Sequence, residues 1–100
     1  MYKGTTPTFI FKLKDIDLQT AEDIAVTFQT SGKTIEKTLD DITINENQIE
    51  VYLSQEDTLS LSVGGARAQV NILFNGGVRG CTKAINIPVK NNLKNEVMWI

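Results

Sequence analysis

The sequence predicts an all-β protein, an antiparallel immunoglobulin-like β-sandwich of about seven strands with one or two short helical turns. Apolar and polar residues alternate in several short windows, which is typical of half-buried strands. Turn residues separate these windows about every 8–12 residues, as in small sandwiches. A chain of 100 residues with this spacing has no room for the crossover helices of a parallel sheet. We therefore expect one sandwich domain over residues 1–100, with residues 90–100 as a C-terminal tail.

The alternation also assigns each strand and its inward face. Strands are predicted over residues 8–14, 24–30, 33–39, 42–44, 48–53, 66–74 and 78–89. The predicted inward residues are Phe9, Phe11, Leu13, Ile24, Val26, Phe28, Ile35, Leu39, Ile49, Val51, Leu53, Ala66, Ala68, Val70, Ile72, Phe74, Ile85, Ile87 and Val89. Lys37 shares the inward parity of its strand. That strand is therefore expected near a sheet edge, where an inward lysine disfavours aggregation.

Turn and cap residues lie between the strands. Ser31-Gly32 and Asn75-Gly76-Gly77 predict hairpins, because glycine and asparagine accept the positive φ of tight turns. A further hairpin signal, Asn45-Glu46-Asn47, separates residues 42–44 from residues 48–53. Helical turns are predicted at residues 15–23, with a Thr20/Asp23 capping box, and after Ser54, with Asp57 three residues on. The alternation fails between Val78 and Ala84, which predicts a β-bulge near Gly80.

Composition excludes several classes of function. The net charge is −2 and charges of both signs are interspersed, so nucleic-acid binding by a basic surface is not expected. No polybasic run, amphipathic stretch or long apolar run indicates a membrane. The N-terminus lacks the apolar core of a signal peptide, and we expect folding in a cytoplasm. Histidine is absent, which removes the commonest general base and metal ligand. We expect no enzyme, no catalytic residue, no cofactor and no metal.

The remaining reactive side chains have simpler interpretations. Cys81 is the single cysteine and forms no internal disulfide, so the fold does not depend on an oxidising compartment. Arg79 and Lys83 share its strand face and would favour a thiolate, but a passive exposed thiol is the preferred interpretation. The acidic pairs are Asp15/Asp17, Glu22/Asp23, Asp40/Asp41 and Glu56/Asp57. All four are assigned to turns or caps, since they match neither a glycosidase dyad nor calcium-loop spacing.

The chain ends on an apolar cluster, Val97, Met98, Trp99 and Ile100. Termini usually fray unless something holds them, so this cluster requires an explanation. Either the tail folds back over the core of the protein, or it forms an interface, where tryptophan often contributes most of the binding energy. The second alternative predicts self-association that is lost when the chain ends at Asn95.

Five stretches resemble a group of small phage and prophage proteins from Gram-positive bacteria. They are Met1 to Phe9, Ala25 to Phe28, Lys37 to Asp41, Val51 to Leu59, and Ala68 to Asn71 with the Asn75-Gly76 turn after it. The group is similar to the N-terminal domain of baseplate upper proteins. The resemblance spans nearly the whole chain but includes no catalytic signature, and the apolar tail is not part of it.

The resemblance implies a tail or baseplate structural protein that acts through protein–protein contacts. Its partners would be other tail or baseplate proteins or copies of itself, and its location the host cytoplasm during assembly and then the virion. Symmetric assembly is common for such parts. A different class of function stays open: a β-sandwich that binds a carbohydrate or a cell-surface partner. Exposed aromatic residues would form such a site, and the candidates are Tyr2, Tyr52 and Trp99.

Overall fold

The computed structural model describes residues 1–99 and contains eight strands in two packed sheets, so the predicted all-β sandwich is confirmed. Ile100 lies outside the described residues. The strands are β1 (Thr8–Lys12), β2 (Ala21–Thr30), β3 (Lys33–Thr38), β4 (Ile42–Asn45), β5 (Gln48–Tyr52), β6 (Gly64–Phe74), β7 (Arg79–Cys81) and β8 (Ile85–Val89). One short helix, α1 (Gln55–Ser60), and 3-10 turns at Leu18–Thr20, Leu39–Asp41 and Asn75–Gly77 join them.

The strands divide into a three-stranded sheet in the order β1-β5-β4 and a five-stranded sheet. In the larger sheet β3 is an edge strand, β2 and β6 are central, and β7 and β8 both pair with β6. All of these strand pairs are antiparallel. The described residues contain no helix of the length and apolarity required to cross a membrane.

The core lies between the two sheets. It contains Leu13, Leu18, Ile24, Val26, Phe28, Ile35, Ile49, Val51, Leu53, Leu61, Ala66, Ala68, Val70, Ile72, Ile87 and Val89. The rings of Phe9 and Phe28, from opposite sheets, have centroids 5.4 Å apart at a tilted angle that favours aromatic contact. The predicted inward residues are buried or packed partly against this core, with one exception. Ile85 has the inward parity but is 46% exposed.

The prediction of a single strand over residues 78–89 is wrong, because this segment contains two strands, β7 and β8. Cys81 pairs with Asn71 and Ile85 pairs with Ala68. The segment from Cys81 to Ile85 therefore contains one residue more than the segment of β6 that it faces. The bulge therefore lies at residues 82–84 and not near Gly80. Thr82 explains its position: its hydroxyl accepts a hydrogen bond from Val70 N (3.1 Å), and its amide donates to Val70 O (2.9 Å). The strand pairing along β6 is interrupted at the bulge, but the backbone N–H and C=O of Val70 remain hydrogen-bonded.

The first helical turn lies within the predicted residues 15–23, but its cap is a different residue. It covers Leu18–Thr20 and is capped by Asp17, whose carboxylate accepts from Gln19 N at 3.0 Å. The predicted Thr20/Asp23 capping box is wrong, because Ala21 already begins β2 and Asp23 accepts from Ile24 N instead. The cap predicted at Ser54 is confirmed and begins α1.

The N-terminal segment covers one sheet edge. Tyr2 forms a parallel bridge with Lys90, beyond the end of β8. Lys3 N donates to Lys90 O at 3.0 Å, and Lys90 N donates to Met1 O at 2.8 Å. The terminal amino group of Met1 donates to Pro88 O at 2.8 Å. The C-terminal end of β8 is therefore covered by the chain itself.

Candidate interaction surface

Helix α1 closes one end of the sandwich and positions the candidate surface. Six residues are too few for a helix to be stable alone, so its contacts must hold it. Ser54 Oγ accepts from Asp57 N (3.1 Å), and Asp57 Oδ2 accepts from Ser54 N (2.9 Å), which completes a capping box. Thr58 and Leu61 are fully buried, and the Thr58 hydroxyl donates to Thr5 O at 2.8 Å. Caps and burial therefore fix α1 to the core.

An ion pair joins α1 to β3, an edge strand of the five-stranded sheet. Lys37 Nζ lies 2.9 Å from Asp57 Oδ2, and both side chains are mostly shielded from solvent. β3 is the edge strand predicted from Lys37, and this prediction is confirmed. The inward lysine is thus neutralised by a carboxylate rather than left against apolar residues. Partial burial acts to raise the pKa of Asp57, but Lys37 and the Ser54 bonds outweigh it, so the pKa is below its ordinary value.

A second carboxyl group with a lowered pKa, that of Asp41, lies in the turn after β3. Thr38 donates both its amide and its hydroxyl to Asp41 Oδ2, each at 3.0 Å. The backbone bond from Thr38 is the largest cause of the lowered pKa of Asp41, and the hydroxyl bond adds to it. The carboxylates of Asp41 and Asp57 therefore act as caps, as sequence predicted for their acidic pairs.

The C-terminal tail is held by the first residue of α1. Gln55 Nε2 donates to Met98 O at 2.9 Å, and Met98 N donates to Gln55 Oε1 at 2.8 Å. One side chain thus satisfies both backbone groups of a tail residue. Further back, Asn92 Nδ2 donates to Lys3 O at 3.0 Å. The tail is therefore attached at two places, through the side chain of Asn92 and through the backbone of Met98.

The apolar side chains of the predicted interface are placed differently from one another. Val97 is half-buried, but Met98 is 65% exposed and Trp99 is 83% exposed. Ile100 belongs to the same predicted cluster and lies outside the described residues. Met98 and Trp99 therefore do not cover the core, which removes that alternative for these two side chains. Their role as an interface stays a prediction.

Tyr52 and Trp99 line one shallow cleft. It has a volume of about 260 Å³ and is lined by Tyr52, Ser54, Gln55, Glu56, Val97 and Trp99. Tyr52 faces outward from β5, opposite in parity to the buried Val51. The cleft thus combines two exposed aromatic rings with the Glu56 carboxylate. The parity of Tyr52 was visible in the sequence, but no local signal brought residue 99 beside it.

A larger concavity lies on the outer face of the five-stranded sheet. It measures about 320 Å³, and its polar lining residues are Asp23, Glu36, Asn71 and Arg79. The Arg79 guanidinium donates to Asn71 Oδ1 from Nε (3.3 Å) and from Nη2 (3.0 Å). Cys81 is exposed, as predicted for a strand residue on this face.

Three of the four acidic pairs lie in turns or caps, as predicted. Glu22/Asp23 is the exception, because both residues belong to β2, where the register shifts between Ala21 and Asp23. Asp23 lines the larger concavity together with Glu36. Within residues 1–99, no group of three or more acidic or cysteine side chains is arranged to hold a metal ion.

A scan against models of known protein families finds no match, and neither a search of curated proteins nor one of solved structures finds any.

The lowered pKa of Asp57 predicts a pH-dependent loss of stability. Because the folded pKa lies below the ordinary 3.8, the stabilisation is complete above about pH 5 and is lost as pH falls through the folded value. Asp57→Asn should cost about 1 kcal/mol at neutral pH, as expected for a partly shielded ion pair. Urea denaturation at several pH values should show the variant approaching wild type towards pH 2.

Glu56→Gln is the matched control for this prediction, since it removes a neighbouring carboxylate and leaves the ion pair and the capping box intact. It should follow the wild-type pH dependence. An Asp57→Asn variant that stays parallel to wild type over the whole acid range would show that the ion pair contributes no stability.

Proposed function

We propose that the chain is a phage or prophage virion structural protein, a tail or baseplate component that acts through protein–protein contacts. The five short stretches that resemble small phage and prophage proteins support this function. The proposal places the chain in the host cytoplasm during assembly and then in the virion. Its partners are other tail or baseplate proteins or copies of itself. It also includes no catalytic step, since the sequence supplies no histidine.

The observation that carries the proposal is an apolar tail whose backbone is fixed and whose side chains are exposed. Gln55 holds Met98 by two hydrogen bonds, while the Met98 and Trp99 side chains extend into solvent. Tryptophan and methionine are enriched at protein interfaces. A backbone that is already held loses less conformational freedom on binding, so more of the contact energy appears as affinity. This arrangement suits a part that docks against another protein.

The test is assembly with the products of neighbouring genes. The chain is co-expressed with each neighbouring tail-gene product, and the affinity of any complex is measured by calorimetry. Trp99→Ala should weaken binding about 30-fold, as expected for a hot-spot residue worth about 2 kcal/mol. Leu93→Ala is the matched control, because Leu93 is a fully exposed apolar residue of the same tail.

Two results would contradict the proposal. One is a gene neighbourhood without tail-assembly genes, because the proposed function requires such partners. The other is a complex that forms equally well with Trp99→Ala and Leu93→Ala, since the fixed tail would then contribute nothing specific.

A second candidate function is binding of a carbohydrate or another cell-surface ligand. The specific observation is the cleft that Tyr52 and Trp99 share with Glu56. Aromatic rings can stack on the apolar face of a sugar, and a carboxylate accepts hydrogen bonds from hydroxyl groups. The two exposed rings and the acid are therefore chemically suited to a saccharide.

Trp99 is the single tryptophan, so its fluorescence reports directly on this cleft. Titration with the sugars selected on a glycan array should shift the emission of the wild-type chain. Tyr52→Ala should weaken that binding at least tenfold, whereas Tyr2→Ala removes an exposed tyrosine that is not among the cleft residues and should have no effect. An array without hits, together with unchanged emission, rules out this second candidate.

A further inference from the structure

Strand β1 is one of the two edge strands of the three-stranded sheet, and its backbone has one bonded and one open side. Leu53 N donates to Pro7 O at 3.0 Å and Leu13 N donates to Asn47 O at 2.9 Å, on either side of β1. Between these bonds, Phe9 pairs with Val51 and Phe11 with Ile49. Hydrogen-bonded pairs alternate along an antiparallel ladder. The odd-numbered residues therefore bond to β5.

The even-numbered residues, Thr8, Ile10 and Lys12, then direct their N–H and C=O groups away from β5. The side chains here carry little to block another strand. From Gly4 to Phe11 the chain has no ionisable side chain. Ile10 is 54% exposed, and Phe9 and Phe11 are half-buried. Exposed strand edges usually carry charges, prolines or bulges that prevent pairing with another chain. The open edge of β1 has none of these from Thr8 to Phe11.

The other edges carry such features. If two copies paired antiparallel through β3, with their core faces on the same side, Lys33 would lie opposite Lys37 in one register. In another register Glu36 would lie opposite Glu36. β4 has four residues and lies between Asp41 and Glu46, so a charged side chain flanks each end of its edge. β7 has three residues and leads into the bulge at residues 82–84. On the outer side of β8, Pro88 has no N–H to donate, and residues 1–3 of the same chain bond to Pro88 and Lys90.

We propose that β1 is a self-association surface: the β1 strands of two copies pair antiparallel around a twofold axis at Ile10. In this register Ile10 faces Ile10, Phe9 faces Phe11, and Thr8 faces Lys12 of the second copy. The three facing pairs of even-numbered residues form about six backbone hydrogen bonds, which satisfies every open group of the strand. No like charges face each other. The two three-stranded sheets become one continuous sheet.

The occupant is a second copy because the edge is complementary to itself in this register. Side chains of matching character face each other: isoleucine against isoleucine and phenylalanine against phenylalanine. The single cation of the strand, Lys12, faces the neutral Thr8. This inference is drawn from the strand edge alone and does not depend on the proposed virion function.

Sedimentation equilibrium of the full chain tests the register by a charge reversal at one position. Thr8→Glu places a carboxylate against Lys12 of the second copy at two symmetric places and should tighten the dimer about fivefold. Thr8→Lys places like charges there and should weaken it by a similar factor. Thr34→Glu and Thr34→Lys, on the exposed β3 edge, are the matched controls and should leave dimerisation unchanged.

Ile10→Pro tests the backbone bonds. Its lost N–H points to the open side, so circular dichroism and the melting temperature should stay close to wild type while the dimer is lost. A third variant combines Ile10→Cys with Cys81→Ser, which removes the native thiol. This double variant should form a disulfide-linked dimer, because the Cα atoms of facing hydrogen-bonded residues lie about 5.5 Å apart.

Several outcomes overturn the inference. A wild-type chain that stays monomeric to millimolar concentration excludes a β1 dimer. Equal dimerisation of Thr8→Glu and Thr8→Lys excludes the register. A dimer that is lost when the chain ends at Asn95 but is unchanged by the Thr8 variants is held by the tail instead. Binding of another protein's strand to β1 by a monomeric chain also contradicts a second copy as occupant. Only the chain that ends at Asn95 bears on assembly through Trp99, because the Thr8 and Ile10 variants leave the tail unchanged.

Discussion

The 2.9 Å ion pair between Lys37 and Asp57 is the contact on which the arrangement of this surface depends. It joins an edge strand of the five-stranded sheet to a six-residue helix that is too short to be stable alone. The helix in turn binds the N-terminal segment through Thr58 and the C-terminal tail through Gln55. The ion pair acts together with the Ser54/Asp57 capping box and the buried Thr58 to fix an element that contacts both ends of the chain.

The features with potential for contact lie on or next to the three-stranded sheet. Tyr52 is opposite Thr8 in the β1–β5 register, so the aromatic cleft lies beside the open edge of β1. In the larger sheet, the edge strand β3 carries charged side chains, and residues 1–3 cover the end of β8. The two sheets therefore differ at their edges, and the open edge of β1 in the three-stranded sheet is the one at which we propose that two copies pair.

Much of the fold was predictable because it depends on local alternation. Ile24, Val26 and Phe28 repeat with period two, and the Ser54/Asp57 capping box lies within four residues. The bulge at Thr82 was placed wrongly because it depends on a hydrogen bond to Val70, which is distant in sequence. The neighbourhood of Tyr52 and Trp99 was missed for the same reason. Contacts between distant residues carry no periodic signal, and the candidate site is made of them.

Gln55 holds the tail in place by its two hydrogen bonds to Met98, and the Trp99 side chain stays exposed. Amide hydrogen exchange at Met98 measures this directly, because its N–H is bonded only if the Gln55 carbonyl accepts it. We expect slow exchange at Met98 in the wild-type chain and fast exchange in Gln55→Ala, with Glu56→Ala as the neighbouring control. Exchange at Met98 in the wild-type chain as fast as in an unstructured peptide would contradict it.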